Sequence, residues 1–273
     1  MYEKREVTAR VEKQDSLTED IRELILETPL AEDAMPGQFV NLYCGDGARL
    51  LPRPISVCDV FSGRMKLVYR VVGAGTAELA ALKAGDTVRM VGNLGNGYDP
   101  RTAFGKDVLV VGGGLGVPPM YYLSRLLHML GLRGGAESPA TLTMVLGYRD
   151  EASTFMKLAF TGFGRVVFAS DDGSIGMKGT VVDAIRAENI SCDVIYACGP
   201  LPMLRAVASY AREKSTDEKN IKCYVSLEER MACGIGACLG CVTKTTQPDE
   251  HSRVNNARIC VEGPVFDAEM IAW

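Results

Sequence analysis

Four cysteines constrain this chain more than any other feature. Cys233, Cys238 and Cys241 share the run Cys233-Gly234-Ile235-Gly236-Ala237-Cys238-Leu239-Gly240-Cys241, and Cys260 follows at a distance, which gives C-x4-C-x2-C…C. Plant-type [2Fe–2S] sites use this spacing. Three thiolates from one tight loop grip one side of such a cluster, and a remote fourth closes it. Glycines at 234, 236 and 240 let the loop fold inward with its amides aimed at the sulfurs, offsetting their negative charge. Zinc on the same four cysteines is the alternative, although zinc sites usually present two short cysteine pairs. Met231, Ala232, Ile235 and Leu239 are apolar, and they either pack against the rest of the chain or form a dry rim for a redox partner. Cys44, Cys58, Cys192, Cys198 and Cys223 lie in apolar runs and read as small buried hydrophobes.

The cysteine-bearing segment is too short to build a core unless a metal or larger domains support it. At 273 residues the chain has room for two such domains. A net charge of −4 gives no electrostatic reason to expect nucleic acid or an anionic membrane. No apolar run approaches the ~20 residues of a spanning helix, and no basic N-terminal region leads into one. A soluble, cytoplasmic protein is expected, in which nine cysteines do not all pair as disulfides. With only His128 and His251, a histidine-rich metal site or a Ser–His–Asp hydrolase has little to build with.

From Arg5 to about Pro100, short β-rich runs (Val7–Val11, Glu23–Glu27, Gln38–Tyr43, Met65–Val72, Thr87–Val91) are separated by turns such as Pro36-Gly37, Gly45-Asp46-Gly47 and Ser62-Gly63. This pattern predicts a small antiparallel barrel over 1–101. From Lys106 the rhythm changes. Strand-like Asp107–Val111, Thr141–Leu146, Arg165–Ala169 and Cys192–Ala197 alternate with helix-length segments at Pro119–Leu130, Glu151–Phe160, Gly179–Ala187 and Pro202–Glu213. Alternation of this kind predicts a parallel sheet covered on both faces, a central α/β domain over 102–220. The polar stretch Ser215–Asn220 reads as a linker to a small cluster domain over 221–273.

Within the barrel, Arg53-Pro54-Ile55-Ser56 opens a strand, and an arginine beside a hydroxyl suits a flavin phosphate. Gly75-Thr76 opens a short helix, predicted over Thr76–Leu82, whose free amides suit a pyrophosphate. Taken alone, these motifs equally fit a surface arginine and a plain turn. Gly112-Gly113-Gly114-Leu115-Gly116 follows a strand and precedes a helix with Pro118-Pro119 in its first turn, the context of a dinucleotide site, although Val117 stands where a strict motif has its last glycine. Cys198-Gly199-Pro200 closes the last parallel strand at the sheet edge where ligands bind, and Gly199 leaves room for a nicotinamide. Either glycine motif is also a possible structural turn. Arg149 fits a 2′-phosphate, but Asp150 and Glu151 oppose one, and with Asp171 and Asp172 nearby the balance favours NAD over NADP.

With these motifs in this order, the chain resembles the ferredoxin reductase-like flavoproteins. The stretch Ser226–Cys241, with Arg258-Ile259-Cys260-Val261-Glu262-Gly263-Pro264-Val265-Phe266, is similar to the electron-transfer subunits of class 1B dihydroorotate dehydrogenases. The resemblance implies a multi-domain fold: an FAD-binding barrel, an NAD-binding α/β domain and a [2Fe–2S] domain. It places FAD on Arg53, Pro54, Ile55, Ser56, Tyr69, Arg70, Val71, Gly75 and Thr76, and the cluster on Cys233, Cys238, Cys241 and Cys260. It further implies a partner, an FMN-containing catalytic subunit that oxidises dihydroorotate, with two copies of each subunit in a heterotetramer. Electrons would pass from that FMN through the cluster and FAD to NAD+, in pyrimidine biosynthesis. Such an oxidoreductase subunit needs little acid–base chemistry, so no catalytic residue is assigned. The alternatives are a subunit of a ferredoxin:NAD(P) oxidoreductase or sulfhydrogenase, and a zinc-stapled nucleotide-binding module without redox activity.

Overall fold

The computed structural model describes residues 4–45, 49–135, 137–249 and 253–273. Asp46 and Gly47 of the expected turn, and His251, lie outside the described residues. The first strands, β1 (Arg5–Ser16), β2 (Ile21–Glu27), β3 (Phe39–Leu42), β4 (Arg53–Phe61), β5 (Arg64–Arg70) and β6 (Thr87–Leu94), close into an antiparallel barrel in the order β1-β2-β5-β4-β3-β6. Alternation places Leu24 and Leu26 of β2, Met65, Leu67 and Tyr69 of β5, and Val88 and Met90 of β6 inside it. Helix α1 (Ala74–Ala80) lies between β5 and β6. It starts two residues before the expected Thr76, because the Thr76 hydroxyl folds back to accept from the Val72 and Gly73 amides at 2.9 and 3.2 Å.

The expected parallel sheet follows, built from β7 (Asp107–Gly113), β8 (Thr141–Tyr148), β9 (Arg165–Ser170), β10 (Met177–Lys178), β11 (Val194–Cys198) and β12 (Lys222–Ser226). Its helices are α2 (Val117–Arg133), α3 (Val181–Ala187) and α4 (Leu201–Lys214). Strand parity sorts the two faces. Val108 and Val110 of β7 join Val194 and Tyr196 of β11 under α2, whereas Leu109 and Val111 join Ile195 and Ala197 under α3 and α4. Residues 151–160 do not form the expected helix. Asp150 diverts the backbone into local turns, accepting from the Ser153 amide at 2.8 Å and the Thr154 hydroxyl at 3.0 Å. Phe155 and Phe160 then pack separately, edge-on against Tyr148 and Tyr121.

The cysteine segment carries a hairpin of β13 (Val242–Lys244) and β14 (Asn256–Arg258), then β15 (Val265–Asp267), which pairs antiparallel with β12. The central sheet therefore continues past residue 220, in the order β10-β9-β8-β7-β11-β12-β15. Barrel and sheet are clamped together where Arg125 of α2 donates to Asp59 of β4 at 2.8 Å and to the Val60 carbonyl at 2.8 Å. Tyr122 donates to the Ala34 carbonyl in the same interface. Among the described residues no helix is long and apolar enough to cross a membrane.

Candidate functional site

The hairpin register brings the fourth cysteine to the other three. Pairing of Val242 with Arg258 sets Cys241 opposite Ile259, whose amide donates to the Cys241 carbonyl at 2.8 Å, so Cys260 lands beside Cys241. Gly234 and Gly236, at φ of 67° and 90°, adopt left-handed backbone that side-chain-bearing residues resist. That curl points the amides of Ile235, Cys238 and Ala237 at the Cys233 sulfur. Burial alone pushes this thiol up, but the amides and the Cys238 side chain together bring it down to about 6. Cys260 is pushed the other way, to about 12, by burial and by its hydrogen bond to Cys241, while the Gly236 amide opposes the shift.

Among the described residues no three His, Cys, Asp or Glu side chains converge as they would on one metal ion. The thiols meet instead as two pairs, Cys233 with Cys238 and Cys241 with Cys260. Two tetrahedral irons sharing bridging sulfides need two thiolates each, so this donor set suits a two-iron cluster. Asn41 of β3 fastens the loop to the barrel, donating to the Cys233 carbonyl at 3.0 Å. Arg258 fastens it from the other side, donating to the Gly236 carbonyl at 3.3 Å while ion-paired with Glu262. Cys241 and Cys260 are buried, whereas Cys238 is exposed. The apolar residues around them divide: Met231 packs inward, while Ile235 and Leu239 are 46% and 63% exposed.

A cleft of about 340 Å³ lies between the barrel, the sheet and the start of the cysteine segment. Arg53, Pro54, Ile55 and Ser56 of β4, Tyr69 and Arg70 of β5, and Thr76 of α1 line it. The Arg53 guanidinium lies over Gly75, where a Cβ would stand 2.1 Å from it. Gly75 thus leaves room for the Arg53 side chain. Val71 faces the barrel core, and Val72 takes its place on the wall. The Tyr69 phenol points away, donating to Gln14 at 3.0 Å inside the barrel, with burial pushing its pKa up. A recess that combines the Arg53 cation and the start of α1 with apolar walls from Ile55, Val72 and Leu115 has the donor set for a flavin dinucleotide.

A second cleft, of about 900 Å³, opens at the carboxyl edge of the sheet where β7 and β11 lie side by side. Gly113, Gly114 and Pro200 line it. Gly112 is packed beneath Val117 and Leu146, and Gly199 against Met203 and Gly113. Gly116 backs onto the Cys198 carbonyl, where a Cβ would come within 2.0 Å. The Cys198 thiol is buried beside Ser226, outside both clefts. Asp171 lines the second cleft; Asp172 does not, being taken up by Ser174 at 2.6 Å. Arg149 also lines it, ion-paired with Asp150 at 2.8 Å.

The two clefts adjoin. Arg70 lines both, ion-paired with Asp20 at 2.9 Å, and the glycine loop turns Gly113 and Gly114 to one cleft and Leu115 to the other. Sequence motifs missed Thr18 and Asp20, which reach the second cleft from the β1–β2 turn, and Ser226 and Glu228, which wall the first. No local pattern signals them, because their roles follow from how barrel and sheet dock.

Comparison with known proteins shows what the whole chain is similar to. The family described as the iron-sulfur cluster binding domain of dihydroorotate dehydrogenase B matches residues 228–272. The dihydroorotate dehydrogenase B (NAD(+)) electron transfer subunit of Shouchella clausii is 39% identical over 259 residues, 93% of each chain. That of Bacillus caldolyticus is 41% identical over 263 residues, 94% of this chain and 95% of its own. Among solved structures, an NADH-dependent reduced ferredoxin-NADP oxidoreductase superposes with a TM-score of 0.81 at 30% identity, over 97% of this chain and 90% of the other. A ferredoxin NADP+ reductase from Neisseria gonorrhoeae, solved with bound FAD and NADP, shares the fold at a TM-score of 0.66 and 14% identity, over 81% of this chain and 99% of the other.

Proposed function

The chain belongs to the family of dihydroorotate dehydrogenase B electron transfer subunits, and we propose from that premise that its three sites form one electron path. Cys233, Cys238, Cys241 and Cys260 hold a [2Fe–2S] cluster. The smaller cleft holds FAD, with Arg53 and the backbone at Gly75 and Thr76 on its phosphates, and Pro54 to Ser56 with Tyr69, Arg70 and Val72 along the flavin. The larger cleft takes NAD+ against Gly113, Gly114 and Pro200, with Gly112, Gly116 and the Cys198–Gly199 turn packed behind them to shape it, and the Asp171 carboxylate is placed to accept from a ribose hydroxyl and to repel a 2′-phosphate.

Electrons come from the FMN of a dihydroorotate-oxidising catalytic subunit, pass through the cluster and FAD, and reduce NAD+ in pyrimidine biosynthesis. FAD supplies the step that a cluster lacks, joining single-electron delivery to two-electron reduction of a nicotinamide. The protein does the rest by position. Arg53 anchors one end of the flavin nucleotide, Arg70 stands where the two clefts meet, and Asn41 and Arg258 hold the cysteine loop against the barrel. The exposed Ile235 and Leu239 beside Cys238 form the rim on which the catalytic subunit docks, in a complex of two plus two. All nine cysteines are free of disulfides, which suits the cytoplasm. The divisions 1–101, 102–220 and 221–273 serve as barrel, nucleotide and cluster domains, the last lending β12 and β15 to the central sheet.

The observation that carries this reading is the pairing of the four thiols on a loop whose first residues wall a cleft that Arg53 also lines. The reductase kinship noted above fits the shared barrel and nucleotide domain, and dihydroorotate chemistry rests on the relatives at about 40% identity. An anaerobic visible spectrum of the purified chain, with metal and flavin analysis, tests it. About one FAD and two irons per chain are expected; zinc without flavin would remove the function and leave the fold.

A further inference from the structure

The two ends of the proposed path differ in their protons. A cluster delivers bare electrons one at a time, whereas NAD+ takes up two electrons together with one proton. Each electron pair must therefore gain a proton within the flavin cleft. Few of the cleft's side chains can give one. Arg53 and Arg70 stay charged at any ordinary pH. Thr76 spends its hydroxyl on its own turn, donating to the Gly73 carbonyl at 3.0 Å, and Tyr69 directs its phenol into the barrel. Glu229 turns back along the chain, accepting from the Arg230 amide at 2.8 Å. The Ser56 and Ser226 hydroxyls are too weakly acidic to give up a proton unaided, which leaves Glu228, on the stretch that joins β12 to the cysteine loop.

We propose that the Glu228 carboxyl gives the flavin its proton during transfer from the cluster to NAD+. This rests on the reading that the smaller cleft holds FAD between those two centres. In each turn the cluster supplies two electrons, Glu228 supplies H+ from its carboxyl oxygen and becomes a carboxylate, and the pair leaves with the proton to make NADH. The carboxylate regains its proton from water, which reaches it because Glu228 is exposed. The surroundings suit a group that must be neutral in one half of the cycle and charged in the other. Crowding by the protein pushes the Glu228 pKa up, and Arg70 of β5 pulls it back. Among the described residues, the other titratable and charged groups near it are the Cys198 thiol at the end of β11, Arg53 of β4 and Tyr69 of β5 in the same cleft, and neighbouring Glu229.

The test uses the complete complex with its catalytic subunit, reduced by dihydroorotate in a stopped-flow cell, with cluster and flavin absorbance followed separately in H2O and D2O. In the wild type, flavin reduction is expected to slow in D2O while cluster reduction does not. Glu228→Gln keeps shape and hydrogen bonding but has no acidic proton, and it should slow flavin reduction by roughly 100-fold with cluster reduction unchanged. Glu228→Asp should restore most of the rate. Wild-type flavin reduction in Glu228→Gln, with the same solvent effect, would overturn the assignment. So would loss of FAD from both variants, which would make Glu228 a binding residue. A wild-type complex whose cluster is reduced while its flavin never is would overturn the electron path itself, and the assignment with it.

Discussion

Removing Arg125 should destabilise the protein through the carboxylate it leaves behind. Asp59 has a side chain only 7% exposed, and its partner is 25% exposed, so the pair joining β4 to α2 is largely shielded from water. Breaking a buried pair by removing one member costs about 3–5 kcal/mol, because the other charge stays desolvated. Arg125→Leu also strands the Val60 carbonyl, which places it in the upper part of that range. Asp59→Asn keeps an acceptor for the arginine and should cost only about 1–2 kcal/mol. The pH dependence is more telling. Burial raises the folded-state pKa of Asp59 above the ordinary carboxylate value, and Arg125 holds it back. A raised carboxyl binds its proton more tightly when folded, so its contribution to stability is present in acid and is lost as pH rises from about 4 through the folded pKa. Without Arg125 that pKa climbs further, so the deficit of Arg125→Leu should be small near pH 4 and widen towards pH 7. Urea unfolding followed by circular dichroism across that range measures it. A deficit below about 1 kcal/mol at neutral pH, or one that does not change with pH, would refute the reasoning.

Arg53→Ala should weaken FAD binding by roughly 10- to 100-fold through loss of charge-assisted hydrogen bonds, read by flavin fluorescence on dialysis, while the iron content stays the same. Asp171→Ser should narrow the preference for NAD over NADP by roughly tenfold or more in kcat/KM, and an unchanged ratio would remove Asp171 from nucleotide selection. Cys260→Ser should abolish the iron–sulfur absorption and leave FAD bound, because Cys260 lies in the turn after the hairpin and does not line the flavin cleft.

What the sequence made legible was local. The loop from Cys233 to Cys241 announces itself because ligands and turn glycines sit within one stretch, and the same holds for Gly112 to Gly116 between a strand and a helix. The barrel was visible because short alternating runs with turn residues between them have few other solutions. The segment 151–160 misled, since its apolar spacing resembles a helix while Asp150 supplies competing turn bonds that periodicity ignores. The fourth cysteine could be recognised but not placed, because its position depends on the pairing of Val242 with Arg258 across a long connection. Asp20 and Glu228 were silent for a different reason: a lone carboxylate acquires a role only when another domain is set against it, and docking leaves no periodic mark.

The pairing of β12 with β15 has an architectural consequence. Ser226 and Val265 are register partners, and the Leu227 amide donates to the Pro264 carbonyl at 2.9 Å. The whole cluster-bearing excursion therefore leaves the sheet and returns to it at neighbouring points, as an insert hung on a two-strand stem. A module attached this way can be gained, exchanged or shortened to a plain turn without re-threading the strands of the nucleotide sheet. The stem also limits that freedom, because Leu227, Glu228, Glu229 and Met231 just beyond the sheet, with Pro264 at its return, wall the flavin cleft. Any replacement must rebuild that wall, so the module that brings the electrons also finishes the chamber that receives them.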